Sequence, residues 1–369
     1  MKMPFINHLH CFCNIVRQES MYKNFFITSF LSRATHLRTF LTVSKSNSIT
    51  QVKRSLAKKK LLNSRLQLWS HKACSNLAFV PKHGPCPDEL LEKLQDFINE
   101  ATRIFVLTGA GISTESGIPD YRSEGVGLYA TSEKRPVQFK DFVNKAAVRQ
   151  SYWARNYVGW PKFSSFKPNI THVTLADWEK QGKVCHIVTQ NVDALHQKAG
   201  SVKVTELHGS AHMVHCMHCS YRIRRAELQP LLTSLNPHLV HLSSQQIRPD
   251  GDVELSMDAV AKFVVPPCPD CGGILKPYVV FFGDNVPRSR VEAVKEELRR
   301  CDALLALGTS LQVYSAYRFI LLAAELGVPM AAVNIGATRG DALLRVRVPA
   351  RCGHVLPLLH LARDARTAA

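Results

Sequence analysis

Apolar residues along this chain follow two different periods. Between residues 88 and 102, Leu90, Leu91, Leu94, Phe97 and Ile98 recur every three or four positions, which predicts an amphipathic helix. Asp88 stands at the N-cap position, and Glu89 and Glu92 suit the electropositive first turn. The pattern then changes. Ile104 to Leu107 is a short, wholly apolar run, and Val184–Thr189, Val202–Leu207, Ala303–Leu307 and Pro329–Val333 repeat the form. Runs without alternation fit strands covered on both faces, so the expected fold is α/β with a doubly wound, Rossmann-like parallel sheet.

Small or polar residues close each run. They are Gly109-Ala110-Gly111 with Ser113, Gln190-Asn191-Val192-Asp193, His208-Gly209-Ser210, Gly308-Thr309-Ser310, and Asn334. The carboxyl edge of an open parallel sheet is where ligands bind. Glycines at a strand end let a pyrophosphate approach backbone amides, and a helix is expected to follow them. A full dinucleotide fingerprint would need a third glycine where Thr114 stands, so this turn alone fits a plain strand-to-helix connection equally well. Five such ends in one chain favour a shared nucleotide crevice. His208 is the candidate base, because a neutral imidazole accepts a hydroxyl proton near pH 7; an ordinary core or surface histidine is the plain alternative.

Cys216-x-x-Cys219 and Cys268-x-x-Cys271 have knuckle spacing for one tetrahedral ion. Four thiolates fill a zinc shell and leave no site for activated water, so the metal is expected to be structural. His212, His215 and His218 lie nearby and are read as surface residues. The 48 residues between the knuckles imply a module with an added helix or loop, helical toward Phe263. An odd total of 11 cysteines reads as metal ligands plus free thiols in a reducing space, not as a disulfide scaffold.

Charge is uneven. Residues 1–87 hold 14 Lys/Arg and one acid, a balance of +13 out of +18, which leaves +5 for the remaining chain. A nucleic-acid-binding fold would keep its charge on the folded body, so no nucleic-acid partner is expected. No run of about 18 apolar residues predicts a membrane span. The acid-free stretch from Ser20 to Pro87 reads as an import leader to the mitochondrial matrix over residues 1–80. Phe26, Phe30, Leu37 and Leu41 share one helical face there, with Arg33 intruding. The rival reading is a nuclear address on the basic run 53–60.

Seven segments occur in one order: GAGISTESGIPDYRS, TQNVDALHQKAG, ELHGS, the two cysteine pairs, KPYVVFFGD, GTSLQVYSA and VNIG. Together they resemble the sirtuin family, in its class II branch. The resemblance covers residues 88–361. It implies a large Rossmann-like domain (88–120, 170–211, 275–361), a helical cofactor-loop region (121–169), a zinc module (212–274) and a short tail (362–369).

The resemblance further implies that Gly109, Ala110, Gly111, Ser113, Asp120, Tyr121, Arg122, Gln190, Asn191, Asp193, Gly308, Thr309, Ser310, Asn334, Ile335, Gly336 and Cys352 hold NAD, with Glu115 starting the helix behind the phosphates. His208 would be the general base. Val279, Val280, Phe281, Phe282 and Gly283 would pair as a strand with the substrate backbone. The implied reaction moves the acyl group of an acylated lysine onto ADP-ribose, releasing nicotinamide and consuming NAD. The expected partners are acylated lysines of mitochondrial metabolic enzymes, acted on by a monomer. Mono-ADP-ribosyl transfer and lipoamidase-type cleavage are neighbouring activities. Tyr121 stands where many sirtuins have Phe, and Tyr278 replaces a smaller or polar residue, so weak deacetylation is expected. Tyr152 and Arg155 match a Tyr-x-x-Arg that takes acyl groups ending in a carboxylate, since a guanidinium fork suits that anion, so glutaryl-like chains are expected over acetyl; on spacing alone a solvated Arg beside a core Tyr fits equally well. The other function classes are a nicotinamide-dependent dehydrogenase and a noncatalytic NAD-sensing scaffold.

Overall fold

A computed structural model describes residues 77–361 apart from Lys134 and residues 243–246. The expected leader, the basic run 53–60 and the tail 362–369 lie outside the described residues. Six parallel strands form the main sheet: β1 (Ile104–Thr108), β2 (Val184–Thr189), β3 (Val204–Glu206) and, in the C-terminal third, three more. A small antiparallel sheet comes between them in sequence, made of β4 (Gly209–Cys216), β5 (Arg222–Arg224) and β6 (Leu275–Val279). The main sheet then resumes with β7 (Ala303–Leu307), β8 (Met330–Val333) and β9 (Val346–Val348). Its order is β3-β2-β1-β7-β8-β9.

The direction of winding reverses beside β1, which pairs with β2 on one side and β7 on the other. At such a switch point the helices diverge and leave a crevice at the strand ends. Ile104 and Val106 pack with Leu94, Phe97 and Ile98 of helix α1 (Asp88–Glu100) and with Leu175 and Trp178 of α3 (Ile170–Lys180). Phe105 and Leu107 join the opposite core, with Val291, Val294 and Leu298 of α5 (Arg288–Arg299) and Phe319 and Ile320 of α6 (Tyr314–Glu325). Burial on both faces is why Ile104–Leu107 of β1 is wholly apolar. A third core joins α2 (Ala146–Ser165) to α4 (Arg225–Leu235) and the small sheet.

Four expectations change. Asp88 lies inside α1 and makes no cap bond; Pro87 precedes it. The helix expected after the glycines is two 3-10 turns, Ala110–Ile112 and Thr114–Ser116, ended by left-handed Gly117 (φ 92°) and Pro119. Residues 275–279, expected in the large domain, pair with β4 in the small sheet. Cys185 and Cys301, read as free thiols, form a disulfide. They are 116 residues apart, a pairing made by packing β2 against the end of α5 and invisible to local spacing.

Candidate active site

The C-terminal ends of β1 and β7 touch. Gly111 N–H donates to Gly308 O at 2.9 Å, and Gly109 N–H to Leu307 O at 3.2 Å. A Cβ on Gly111 would stand 2.8 Å from Gly308 O, and one on Gly308 2.4 Å from Ile112 N. No side chain fits between these backbones, which draws the two strand ends together into a backbone-walled cradle that lines the crevice.

Side chains from the end of β2 hold the cradle in place. Asn191 Nδ2 donates to Gly109 O (3.0 Å) and Ser113 Oγ (3.1 Å), and Gln190 Nε2 donates to Thr108 O and Thr309 Oγ1. Ser113 Oγ donates to Asp193 Oδ2 at 2.7 Å. Burial raises the Asp193 carboxyl, opposed by hydrogen bonds from Leu195 N–H and Ser113. Ala194 (φ 58°) and Leu311 (φ 56°) follow two of these strand-end motifs in the left-handed region, which costs about 1–3 kcal/mol each for non-glycine residues. Strain of this kind concentrates at sites where geometry is imposed by function.

His208 follows β3. Its Nδ1 lies 2.9 Å from Gln190 O, an acceptor only, so Nδ1 carries the proton and Nε2 is the free base nitrogen. Ser315 Oγ donates to that Nε2 at 2.8 Å. Burial lowers the imidazole pKa to about 4, against the raising bond to Gln190, with Arg290 adding to the fall. His208 is therefore neutral at physiological pH.

One cavity of about 930 Å³ unites these groups. Its lining includes every residue expected to hold NAD, from Gly109 to Cys352, together with His208, Tyr152 and the segment 279–283. Arg155 is not part of the lining: its Nε donates to Asp252 Oδ1 at 3.0 Å. β6 ends at Val279, and the stretch 279–283 runs on along the cavity. Val280 N–H donates to His208 O, and Phe282 O accepts from Phe139 N–H. Glu115 receives Gly353 N–H at 3.0 Å and tethers the chain near Cys352, whose Sγ donates to Val333 O. Tyr121 packs edge-on against Phe282 at 5.9 Å, and Asp120 Oδ1 accepts the N–H groups of Arg122 and Ser123.

Sequence reasoning missed Ser315, Arg290, Asp250 and the segment from Pro81 to Pro87. Arg290 Nη1 donates to Leu207 O and Nη2 to the Tyr278 hydroxyl, bracing the strand end before His208. Asp250, residues 81–85 and Pro87 line the cavity. Ser315 lay within a quoted motif and the rest carried no motif signal.

The sulfurs of Cys216, Cys219, Cys268 and Cys271 all lie within 4.8 Å of one another, with 3.4 Å between Cys216 and Cys271 and 3.6 Å between Cys219 and Cys268. Tetrahedral zinc with sulfur at about 2.3 Å needs edges of about 3.8 Å, so the four thiols fit that ion. His212 Nε2 lies instead 3.2 Å from Asp193 O, and the His215 ring meets Tyr278. The cluster stands apart from the His208 cavity lining.

A switch-point cradle, a neutral histidine in the same cavity and a separate four-thiol knuckle define a nucleotide-dependent α/β enzyme with a structural metal module. Residues 109–315 match the Sir2 family model. The chain is 51% identical over 289 residues to the NAD-dependent protein deacylase Sirt4 of Drosophila melanogaster, covering 78% of this chain and 92% of that protein. It is 53% identical to the mitochondrial NAD-dependent protein lipoamidase sirtuin-4 of Homo sapiens over 281 residues, 76% and 89% of the two chains. A solved Sir2 complex with a p53 peptide and NAD+ superposes with TM-score 0.57 at 28% identity, over 72% of this chain and 95% of that one. The chain belongs to the Sir2 family, the sirtuins.

Proposed function

We propose that this sirtuin removes acyl groups from protein lysines with consumption of NAD, releasing nicotinamide and O-acyl-ADP-ribose, and that it works in the mitochondrial matrix on metabolic enzymes. The observation that carries the reading is the shared cavity: the Gly109–Gly111 cradle, the Gln190–Asp193 segment and the neutral His208 face one space. NAD supplies a ribose carbon from which nicotinamide departs. Gly109–Gly111 with Ser113 would hold the phosphates, and Gly308–Ser310, Asn334 and Cys352 would face the ribose and adenine half. Nε2 of His208 would accept a ribose hydroxyl proton while Gln190 O keeps Nδ1 protonated.

The four cysteines would hold zinc, whose full shell leaves it outside the reaction. The mitochondrial relative's name and the acid-free leader support the address. Lipoamidase-type cleavage follows the same path on a longer chain, and mono-ADP-ribosyl transfer follows it with another nucleophile. The test mixes protein, NAD and a panel of acyl-lysine peptides and measures nicotinamide and deacylated peptide. Both are expected, and His208→Tyr should lower them by about 10²- to 10⁴-fold, the usual size of general-base catalysis. Equal turnover by the variant would refute the reading. A dehydrogenase would form reduced cofactor and no nicotinamide.

A further inference from the structure

His208 is held between two segments that also line the cavity. Val280 N–H donates to its backbone oxygen at 2.8 Å, and Ser315 Oγ meets its ring at 2.8 Å. A lysine chain that reaches this histidine therefore has residues 279–286 beside it on one side and residues 312–318 on the other. The two sides differ in charge. On the first, Asp284 lies 3.8 Å from Lys276 Nζ, and Arg290 is spent on Leu207 O and the Tyr278 hydroxyl. On the second, the only acid between Thr309 and Gly340 is Glu325, at the far end of α6, against Arg318 and Arg339.

Arg318 lines the cavity one turn beyond Tyr314. Side chains on a helix lean toward its N-terminus, and the Arg318 guanidinium accordingly lies over the Tyr314 ring, 5.0 Å from its centroid. Among the described residues no carboxylate pairs with it, and its Nε is shielded from water without an acceptor. Arg351, which also lines the cavity, is by contrast claimed by Glu115 at 3.4 Å. Arg339 repeats the stacked arrangement just outside: it lies 4.2 Å from the centroid of the Tyr317 ring, with Nη1 3.4 Å from Gln312 O. A guanidinium laid on a ring keeps the N–H groups of its edge for a carboxylate fork. Tyr314 is 56% exposed, so this edge stands at the mouth of the cavity.

We propose that Arg318, laid on Tyr314 and backed by Arg339, selects protein substrates with an acidic residue beside the acyl-lysine: the guanidinium takes that residue's carboxylate while the lysine runs on to His208. The inference rests on the deacylase reading and adds to it a sequence preference around the lysine. Stacking orders the guanidinium in advance, which lowers the entropy lost when the pair forms. The NAD pyrophosphate is the rival anion. Arg318 shares a helix face with Ser315, the residue that meets His208, and so belongs with the reacting lysine and not with the cradle at the tips of β1 and β7.

Acyl-lysine peptides with glutamate or glutamine placed at each flanking position in turn test this. Peptide dissociation constants and nicotinamide release are measured for the zinc-loaded full chain. At one position glutamate should bind about tenfold tighter than glutamine, as a charge-assisted pair allows, and the ratio should fall as salt is raised. Arg318→Gln should abolish the ratio, and Arg318→Glu should turn the preference toward lysine at that position. Arg339→Gln should shrink it by about twofold, the size of a long-range surface term. Melting temperature reports folding, and Tyr314→Ala, which removes only the ring under the guanidinium, should also lower the ratio and keeps the test open if an Arg318 variant unfolds. Glutamate favoured at no position, or a preference that survives Arg318→Gln, overturns the inference. A weakened Kd for NAD in Arg318→Gln with the peptide ratio intact also overturns it and gives the arginine to the pyrophosphate. The expected ratio without nicotinamide from any acyl peptide would instead refute the deacylase reading. Failure to bind any of the peptides would overturn both.

Discussion

The two ends of the cavity are built by different means. The end proposed for the nucleotide uses the tips of β1, β2, β7 and β8, where backbone approaches backbone and short polar side chains cross-brace it. The end proposed for the acyl chain is assembled from α2, the loop 247–254 and the stretch after β6, and it shares a core with the four-cysteine module. Tyr152, Phe281 and Val192 belong to the same apolar cluster as Cys216 and Cys268. The first end is thus fixed by the sheet, the second by the module packed beside it.

Removing the metal should break that partition most visibly. Structural zinc contributes on the order of 10 kcal/mol to folding of small modules. Cys268→Ser, or chelation, should abolish acyl-peptide binding and expose the third core, while the two sheet cores keep the nucleotide cradle. Calorimetry with an acyl peptide and with ADP-ribose separates the outcomes. Equal loss of both ligands would show that the ends are not independent.

The His208 pKa gives the next largest effect. Catalysis needs the neutral imidazole, so activity is lost as pH falls through the folded pKa. Burial lowers that pKa to about 4, and the acid limb of kcat/KM should lie there, not near 6.5. At pH 5.5 the enzyme should be about tenfold more active than an ordinary imidazole would permit. A limb at 6.5 would mean the site is open to water when it turns over.

Gly111→Ala probes the nucleotide end alone. Its Cβ would meet the Gly308 backbone at 2.8 Å, and backbone cannot swing aside as a side chain can. Overpacking of this kind costs about 1–3 kcal/mol. The Kd for NAD should rise by roughly tenfold or more at that cost, with the Kd for an acyl peptide unchanged. A shifted peptide Kd would couple the two ends.

How much was legible follows the same division. Strand ends advertise themselves, because a buried strand must be apolar and its ligand edge must be small or polar. Hence β1, β2, β7 and β8, His208 and the two knuckles could be read from the residues. The loop 247–254 could not: Asp252 looks like any solvated acid until Gly159 and Gly251 let it reach Arg155. Tyr-x-x-Arg spacing places both residues on one helical face but says nothing about which neighbour claims the guanidinium. The Cys185–Cys301 bond and the shift of residues 275–279 into the small sheet likewise depend on packing between distant segments.

The smallest expected effect lies where the two ends meet. Ser315 starts helix α6 and places its hydroxyl on Nε2 of His208, the single lone pair that a ribose hydroxyl must use. With Nδ1 held by Gln190 O, the imidazole has no other acceptor to offer. Binding the ribose therefore displaces the serine bond, whose net worth is about 0.5–1.5 kcal/mol. Ser315→Ala removes the competitor, and kcat/KM for NAD should rise by about two- to tenfold, with the acid limb unmoved and the KM for the acyl peptide unchanged. Steady-state kinetics with one acyl peptide over a pH series measures all three. A fall in kcat would instead mean that Ser315 Oγ passes the proton between ribose and His208, and the serine would then belong to the base and not stand in its way.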